Sequence, residues 1–298
     1  MRYRNLSKYL RDRFGGRVVK MPLDAGLGCP NRDGTLSDRG CLYCDSRGSG
    51  TGASRLGLTI AEQVFNFRSR SERNNQKYIA YFQAYTNTYA ETSRLKSLWD
   101  QALIGPEVVV LAIGTRPDCL SEETLDLLAT YQSHRDVWLE IGLQSANDFT
   151  LQVINRGHST ADFISAVQRA KLRHLSVIAH VIIGLPNETE ADVLHTALIL
   201  RELPIDGVKI HSLYVTKGTG MADLVARGEY DYISQEEYAR LAVLFLENIS
   251  PDMVIHRLTG DPHPHGLIGP GWTLQKSQTI ELIRRRLEDL DTWQGRKV

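Results

Sequence analysis

The chain has 298 residues and no formal net charge, with 42% apolar and 23% charged residues. This balance is typical of a globular protein with one large α/β domain or two small ones. Apolar runs such as 108–113 are too short to cross a bilayer, and the basic residues 1–20 contain no apolar signal segment. We therefore expect no membrane association and a cytoplasmic, reducing location, in which four cysteines favour metal or redox chemistry over disulfides.

Strand-like and helix-like segments alternate along the chain after residue 16. Strands are predicted over 17–23, 77–85, 107–113, 136–143, 175–183 and 206–215. Helices are predicted between them, over 59–74, 91–103, 121–133, 159–172 and 188–202. Glutamates follow Ser121, Asn187 and Ser234 within three residues, which predicts these three as helix N-caps. Beyond residue 218, helices are predicted over 219–228, 235–249 and 276–292, with a short strand over 253–258.

The strands have one apolar and one polar face. In the fourth strand, leucine and isoleucine alternate with a face that carries Glu140 and Gln144, and the fifth and sixth strands place His180, Lys209 and His211 similarly. A flat parallel sheet covered by helices on both sides would give nearly continuous apolar runs instead. Six strands that alternate with helices imply parallel pairing. We therefore predict an incompletely closed six-unit barrel whose polar lumen holds a ligand.

The predicted organisation has three parts. These are a basic N-terminal segment over 1–16, a core barrel over 17–217 and a C-terminal extension over 218–298 packed on the core. Basic residues concentrate in 1–20 and again in 276–297. If the two termini meet, they could form a basic rim that grips phosphates; the alternative is two solvated helical faces.

Three of the four cysteines lie in one polar, glycine-rich segment, LGCPNRDGTLSDRGCLYCDSRGSGTG, at Cys29, Cys41 and Cys44. Zinc would need Cys119 or a distant histidine as its fourth ligand, because residues 1–133 contain no histidine. A disulfide would leave an odd thiol. The remaining interpretation is a [4Fe–4S] cluster on three thiolates, which leaves one iron open for a chelating amine and carboxylate, such as those of S-adenosylmethionine (SAM).

The segment CLYC, with an aromatic residue before the last cysteine, resembles the cysteine motif of the radical SAM superfamily. The first spacing is eleven residues instead of the usual three, which resembles the YhcC-like branch, related to the radical SAM domain of the elongator catalytic subunit. The resemblance continues through DAGLGCPNRDGT, YFQAYTNTYA, IGTRPDCL, LEIGLQSANDFTLQVINRGHS, HVIIGLPNET, KIHSLYVTKGTGMA and HRLTGDP. It implies a partial (β/α)6 TIM-like barrel with a C-terminal α/β extension, a [4Fe–4S] cluster and SAM.

The resemblance also implies where SAM would bind. Tyr43 corresponds to a position beside the adenine, and 83–86 to the segment that meets the methionine amino group. That segment consists of Gln83, Ala84, Tyr85 and Thr86, where glutamine and tyrosine replace the family's glycines. Gln144, Arg156 and His180 correspond to residues that hold the ribose and the carboxylate, onto which a guanidinium can fork. The alternatives are a surface ion pair for Arg156 and purely structural hydrogen bonds for the other two.

The catalytic residues are unknown, and Glu140, Lys209 and His211 are candidates because a buried charge is costly unless it is paired or used. Glu140 and Lys209 could instead simply neutralise each other. Cys119 follows the third strand, where it could donate a hydrogen atom, bind a second metal ion or pack as a small hydrophobe. His263 and His265 in DPHPHG could bind metal, although the prolines indicate an irregular loop.

The resulting hypothesis is a radical SAM enzyme. An electron from an external donor such as flavodoxin or ferredoxin would enter the cluster, and SAM would give methionine and a 5′-deoxyadenosyl radical that abstracts hydrogen from a substrate in the lumen. The elongator kinship and the basic termini favour transfer RNA as substrate, at the C5 substituent of a wobble uridine. A small metabolite or a protein is the other substrate class. The alternative function is a non-catalytic iron–sulfur or zinc module that binds RNA or a protein partner.

Overall fold

The computed structural model describes residues 2–48, 50–71 and 76–298. The helices are α1 Leu6–Phe14, α2 Ile60–Ser71, α3 Thr92–Ala102, α4 Glu122–Thr130, α5 Asp148–Val153, α6 Thr160–Leu172, α7 Glu190–Arg201, α8 Gly220–Ala226, α9 Gln235–Asn248 and α10 Lys276–Asp289. The strands are β1 Val18–Leu23, β2 Lys77–Phe82, β3 Val108–Thr115, β4 Asp136–Gln144, β5 Ser176–Ile183, β6 Gly207–Ser212, β7 Val215–Thr216, β8 Val254–Arg257 and β9 Leu267–Gly269. Within the described ranges, no helix combines the length and the hydrophobicity needed to cross a membrane.

The large sheet is entirely parallel and follows the order β1-β2-β3-β4-β5-β6-β8. Side chains from β2, β4 and β6 meet across one face, since Lys209 on β6 contacts both Tyr81 on β2 and Glu140 on β4. Such contacts require the sheet to curl. The edge strands β1 and β8 are not hydrogen-bonded neighbours, so the barrel is incomplete. The predicted α/β partial barrel is therefore confirmed, with β8 from the C-terminal segment as an additional strand.

Several element boundaries differ from the predictions. The predicted strand 77–85 ends at Phe82, because Tyr85 has a φ of 56°, which an extended strand does not allow. The predicted strand 206–215 ends at Ser212, and β7 follows as a separate strand that pairs antiparallel with β9. Residues 72–74 of the predicted helix 59–74 lie outside the described residues.

The helix caps confirm two of the three predictions. Ser121 accepts a hydrogen bond from the Thr124 amide, and Ser234 accepts one from the Glu237 amide. Asn187 is not a cap, and that prediction was wrong: α7 begins after Thr189, which forms a reciprocal capping box with Asp192. The Thr189 amide and hydroxyl both donate to the Asp192 carboxylate, whereas Asn187 has a φ of 64°, outside the extended conformation of an N-cap.

The lumen is filled with apolar side chains at the amino ends of its strands. We call this group the apolar plug; its members are Leu10, Ile79, Val110, Ala112, Trp138 and Ile178. Ile79, Trp138 and Ile178 precede Tyr81, Glu140 and His180 by two residues, so each pair shares a strand face. Leu10 comes from α1, which therefore covers this end of the barrel. The polar part of the lumen lies above the plug, toward the carboxyl ends.

Candidate active site

The cysteine loop, as we call residues 27–48 and 50–52, lies at the carboxyl ends of the strands. It helps to enclose a cavity of about 750 Å³, which we call the lumen cavity. Cys29, Cys41 and Cys44 all line this cavity, and all are free thiols. Every strand of the large sheet also contributes lining residues, from Lys20 on β1 to Arg257 on β8. The predicted metal ligands therefore face the same space as the polar side chains of the strands.

Cys41 is the buried thiol of the three and lies among hydrogen-bond donors. Its sulfur is 3.5 Å from Arg156 Nη1 and 3.4 Å from Asn31 Nδ2. Burial alone would raise the pKa of the Cys41 thiol, but Arg156 and Arg116 hold the pKa below its usual value. The surroundings thus favour the thiolate, the form of cysteine that binds metal.

Cys44 is in the opposite electrostatic situation. Burial, and after it the negative charge of neighbouring Cys41, raises the pKa of Cys44 to about 12. The Arg32 guanidinium donates to the Cys44 carbonyl and opposes this shift. A bound metal centre supplies the positive charge that removes the proton from such a thiol.

The donor set fits an iron–sulfur cluster. Among the described ranges of the chain, no three His, Cys, Asp or Glu side chains converge closely enough to hold one metal ion. A [4Fe–4S] cluster does not need such convergence, because each cysteine bonds to a different iron. Three free thiols that face one cavity therefore match a cluster held by three cysteines.

Cys119 is absent from the described lining of the lumen cavity. It is half-buried, and burial, followed by Asp118, raises its pKa to about 12, so it is a neutral thiol at pH 7. His263 lines the cavity in an irregular loop and stacks on His265, with ring centroids 5.2 Å apart.

Arg156 and Gln144 meet over Gly142 of β4. Arg156 Nη2 donates to the Gly142 carbonyl at 2.9 Å, while its buried Nε has no partner among the described residues. Gln144 has a φ of 76°, at a register shift between β4 and β5. A Cβ at position 142 would lie 2.5 Å from Gln144 Nε2 and 2.6 Å from Arg156 Nη2. Both side chains therefore depend on a glycine at this position.

The segment 83–86 bends away after β2, and the cysteine loop packs closely against it. A Cβ at Gly48 would lie 2.4 Å from the Tyr85 ring, and a Cβ at Gly50 would lie 2.6 Å from Ala84 Cβ. The Tyr85 amide also donates to the Gly48 carbonyl at 3.1 Å. The glycines thus bring the cysteine loop against the predicted methionine-binding segment.

The predicted cofactor-binding residues lie together, with one exception. Ala84 is buried beneath Gly50 and does not line the lumen cavity. The predicted residues that do line it are Tyr43, Gln83, Tyr85, Thr86, Gln144, Arg156 and His180. Their contacts with SAM stay predictions.

A charged layer crosses the lumen directly above the apolar plug. It consists of the ionisable side chains of Lys20, Glu140, Lys209 and Arg257 and the imidazole of His180. Glu140 Oε2 accepts hydrogen bonds from Lys209 Nζ and, at 2.9 Å, from His180 Nε2. Burial alone would raise the pKa of the Glu140 carboxyl, but Lys209 and Lys20 hold the pKa well below its usual value. Glu140 is therefore held in its ionised form. Burial lowers the pKa of Lys209, the Glu140 carboxylate opposes this shift, and the two side chains lie in contact.

The two lumen histidines are neutral. Burial, and then Lys209, lowers the pKa of His180 to about 4. Because the Glu140 carboxylate can only accept, neutral His180 donates from Nε2 and presents Nδ1 as an acceptor. Burial, and then Arg257, holds the pKa of His211 well below its usual range, and its buried Nε2 has no partner among the described residues.

Two members of the charged layer and one neighbour were not predicted. The sequence analysis counts Lys20 only among the basic residues near the N-terminus. Alternation along VVKMPL could have placed it on one face of the first strand. Arg257 lies at the end of a strand too short for alternation to orient. Tyr81, whose hydroxyl accepts from Lys209 Nζ at 3.0 Å, lies in β2, where every residue after Lys77 is buried and aliphatic or aromatic.

Comparison with known proteins places this site in a family. The family model of the Radical SAM superfamily matches residues 27–200, which include the three loop cysteines and most of the barrel. The chain belongs to the radical SAM superfamily. The model of the Radical_SAM C-terminal domain matches residues 205–289. Membership in the radical SAM superfamily implies a [4Fe–4S] cluster and SAM.

The radical SAM relatives extend over nearly the whole chain. It is 37% identical over 297 residues to YtqA of Bacillus subtilis strain 168, covering 99% of this chain and 92% of YtqA. It is 39% identical over 264 residues to YhcC of Escherichia coli strain K12, covering 88% of this chain and 85% of YhcC. The structure of Elp3 from the archaeon Methanocaldococcus infernus shares the fold, with a TM-score of 0.72 at 18% identity over 93% of this chain and 64% of that chain. The predicted resemblance to the YhcC-like branch and its elongator relatives is confirmed.

Proposed function

We propose that this radical SAM protein is an enzyme that holds a [4Fe–4S] cluster on Cys29, Cys41 and Cys44 and binds SAM beside it. The observation that carries this proposal is the set of three free thiols on one cavity, with Arg156 against Cys41. When bound, the cluster and SAM supply a 5′-deoxyadenosyl radical, given one electron from an external donor such as flavodoxin or ferredoxin.

The residues of the chain hold and orient these groups. Arg156 stabilises the Cys41 thiolate, and its unpartnered Nε can donate to the carboxylate of a ligand in the cavity. Glu140 Oε1 and His211 Nε2, which have no hydrogen-bond partner among the described residues, offer polar contacts to a substrate above the apolar plug. The plug keeps water away from the amino end of this space.

Transfer RNA, modified at the C5 substituent of a wobble uridine, is the substrate we propose within this class. The elongator-type fold supports this choice, and so does the meeting of the two basic termini, where the Gln294 amide donates to the Arg2 carbonyl at 2.9 Å. We also propose a cytoplasmic location, which the four free cysteines support.

Anaerobic reconstitution with iron and sulfide tests the proposed function. We expect the wild-type chain to retain iron and, with dithionite and SAM, to form 5′-deoxyadenosine. Cys29→Ala, Cys41→Ala and Cys44→Ala should each lose cluster-dependent turnover, because each removes one of three ligands. Cys119→Ala is the matched control and should keep both the cluster and turnover.

Two results would contradict the proposal. Normal iron content in all three loop variants would refute the ligand assignment. A loaded cluster that forms no 5′-deoxyadenosine would instead support the non-catalytic iron–sulfur module. Comparison of modified nucleosides in transfer RNA from wild-type and deletion strains tests the substrate separately.

A further inference from the structure

A second cavity of about 710 Å³ lies beside the barrel, and we call it the side chamber. It is bordered by the edge strands β1 and β8, which are not paired with each other, and by α1 and α10. Lys20 and Arg257 line both the side chamber and the lumen cavity. These two side chains therefore stand where the side chamber meets the charged layer.

The side chamber is strongly basic. Its charged lining residues are Arg11, Arg17, Lys20, Arg257 and Lys276, and none of its described lining residues is acidic. Lys276 forms an ion pair with Asp261 at 2.7 Å. Among the described residues, no carboxylate lies within ion-pair distance of Arg11, Arg17, Lys20 or Arg257. Unpaired cations in a concave space attract anionic groups.

The excess of positive charge is greatest where the side chamber meets the lumen. Burial lowers the pKa of Lys20, and the positive charge of Arg257 lowers it further. The Glu140 carboxylate acts in the other direction and favours the protonated form of Lys20. Glu140 is already bonded to Lys209 and His180, so it neutralises the layer only in part. The buried His256 Nδ1, on a residue that also lines the side chamber, has no partner among the described residues.

We propose that the side chamber binds an oxyanion group of the substrate, a carboxylate or a phosphate, between Lys20 and Arg257. An ammonium and a guanidinium at one point suit such a group, because both donate charge-assisted hydrogen bonds to its oxygens. The chamber is also large enough for a small molecule. That the anion belongs to the substrate rests on the proposed function. That an anion binds at this site does not depend on it.

Anion binding to the reconstituted chain tests this site. We would titrate the chain with inorganic phosphate, followed by ³¹P NMR, and in a second arm with ¹³C-labelled malonate, followed by ¹³C NMR. Saturable binding is expected in at least one arm, and the arm that responds identifies the oxyanion. Lys20→Met and Arg257→Met should each weaken it about tenfold or more, the loss expected for one charge-assisted hydrogen bond.

Two further variants separate charge from folding. Arg257→Lys keeps the positive charge and should bind the anion within about threefold of wild type. Lys96→Met removes a surface lysine that is paired with Asp100, and it should bind the anion like wild type. The inference is overturned if the wild-type chain binds neither anion, or if both methionine variants bind as tightly as wild type. 5′-Deoxyadenosine formation in the same samples keeps the two proposals apart: turnover without anion binding refutes only the side chamber, and anion binding without turnover refutes only the enzyme.

Discussion

Glu140 carries its charge in the middle of the lumen, where it is 1% exposed and accepts hydrogen bonds from Lys209 and His180. A buried ion pair adds little net stability, because desolvation of both charges offsets their attraction. Each partner nevertheless becomes costly when the other is removed.

Stability measurements on a double-mutant cycle test this pair. We expect Glu140→Gln and Lys209→Met each to lower the free energy of unfolding by about 3–5 kcal/mol, because each leaves a buried charge uncompensated. The double variant should lie close to wild type. Additive losses in urea denaturation would show that the two side chains are not energetically coupled.

The sequence predicts the lumen side chains well where alternation is strong. Glu140, His180 and Lys209 follow from the polar face of their strands, and the structure brings the three together. Tyr81 could not be predicted, because a strand buried on both faces has no polar face to indicate the lumen. Cys119 is half-buried at the end of a single 3-10 turn after β3, where neither spacing nor periodicity gives the direction of its side chain.

At the scale of elements, the carboxyl end of β4 shapes the candidate active site. Gly142 leaves room for two side chains, and Gln144 turns into a left-handed conformation at the register shift with β5. Residue type did not predict this bend, because glutamine has no special preference for positive φ. The same applies to Tyr85 after β2, where the predicted strand was too long. Strand interiors follow from the pattern, whereas strand ends depend on what packs against them.

Gly142→Ala tests the dependence of the site on this glycine. The added methyl group meets only the ends of two flexible side chains, so we expect the melting temperature to stay close to wild type. Displacement of Arg156 and Gln144 should weaken SAM binding to the cluster-loaded chain about tenfold or more, the cost of a lost charge-assisted hydrogen bond.

Gly271→Ala is the matched control for this prediction. A Cβ there would meet nothing within 4 Å, so both melting temperature and SAM affinity should stay unchanged. Equilibrium dialysis with labelled SAM makes the comparison. Equal affinity of the two alanine variants would show that Arg156 and Gln144 do not hold SAM.

At the scale of the whole molecule, the two ends of the chain close on each other beside β8. Gln294 is buried at 3% exposure; its side chain accepts from the Arg4 amide and donates to the Ser250 and Met253 carbonyls. The sequence gives the charges of both termini but not their meeting, because contacts between residues nearly 300 positions apart leave no local pattern. The predicted boundaries at 16 and 217 remain predictions.

Gln294→Ala should destabilise the whole fold. It leaves buried backbone groups without partners, which we expect to lower the free energy of unfolding by about 2–4 kcal/mol. Gln152→Ala, at an exposed site on α5, should change it by less than about 0.5 kcal/mol. Urea denaturation measures both, and a similar small change in the two variants would show that the termini do not stabilise the barrel.

The apolar plug also has a kinetic consequence. Because it fills the amino end of the barrel, a ligand that reaches the charged layer along the lumen must pass the cysteine loop. We expect a group bound beside Cys41 to narrow that entrance, so that such a ligand binds before it and leaves after it. A ligand that enters through the side chamber would not have to follow this order.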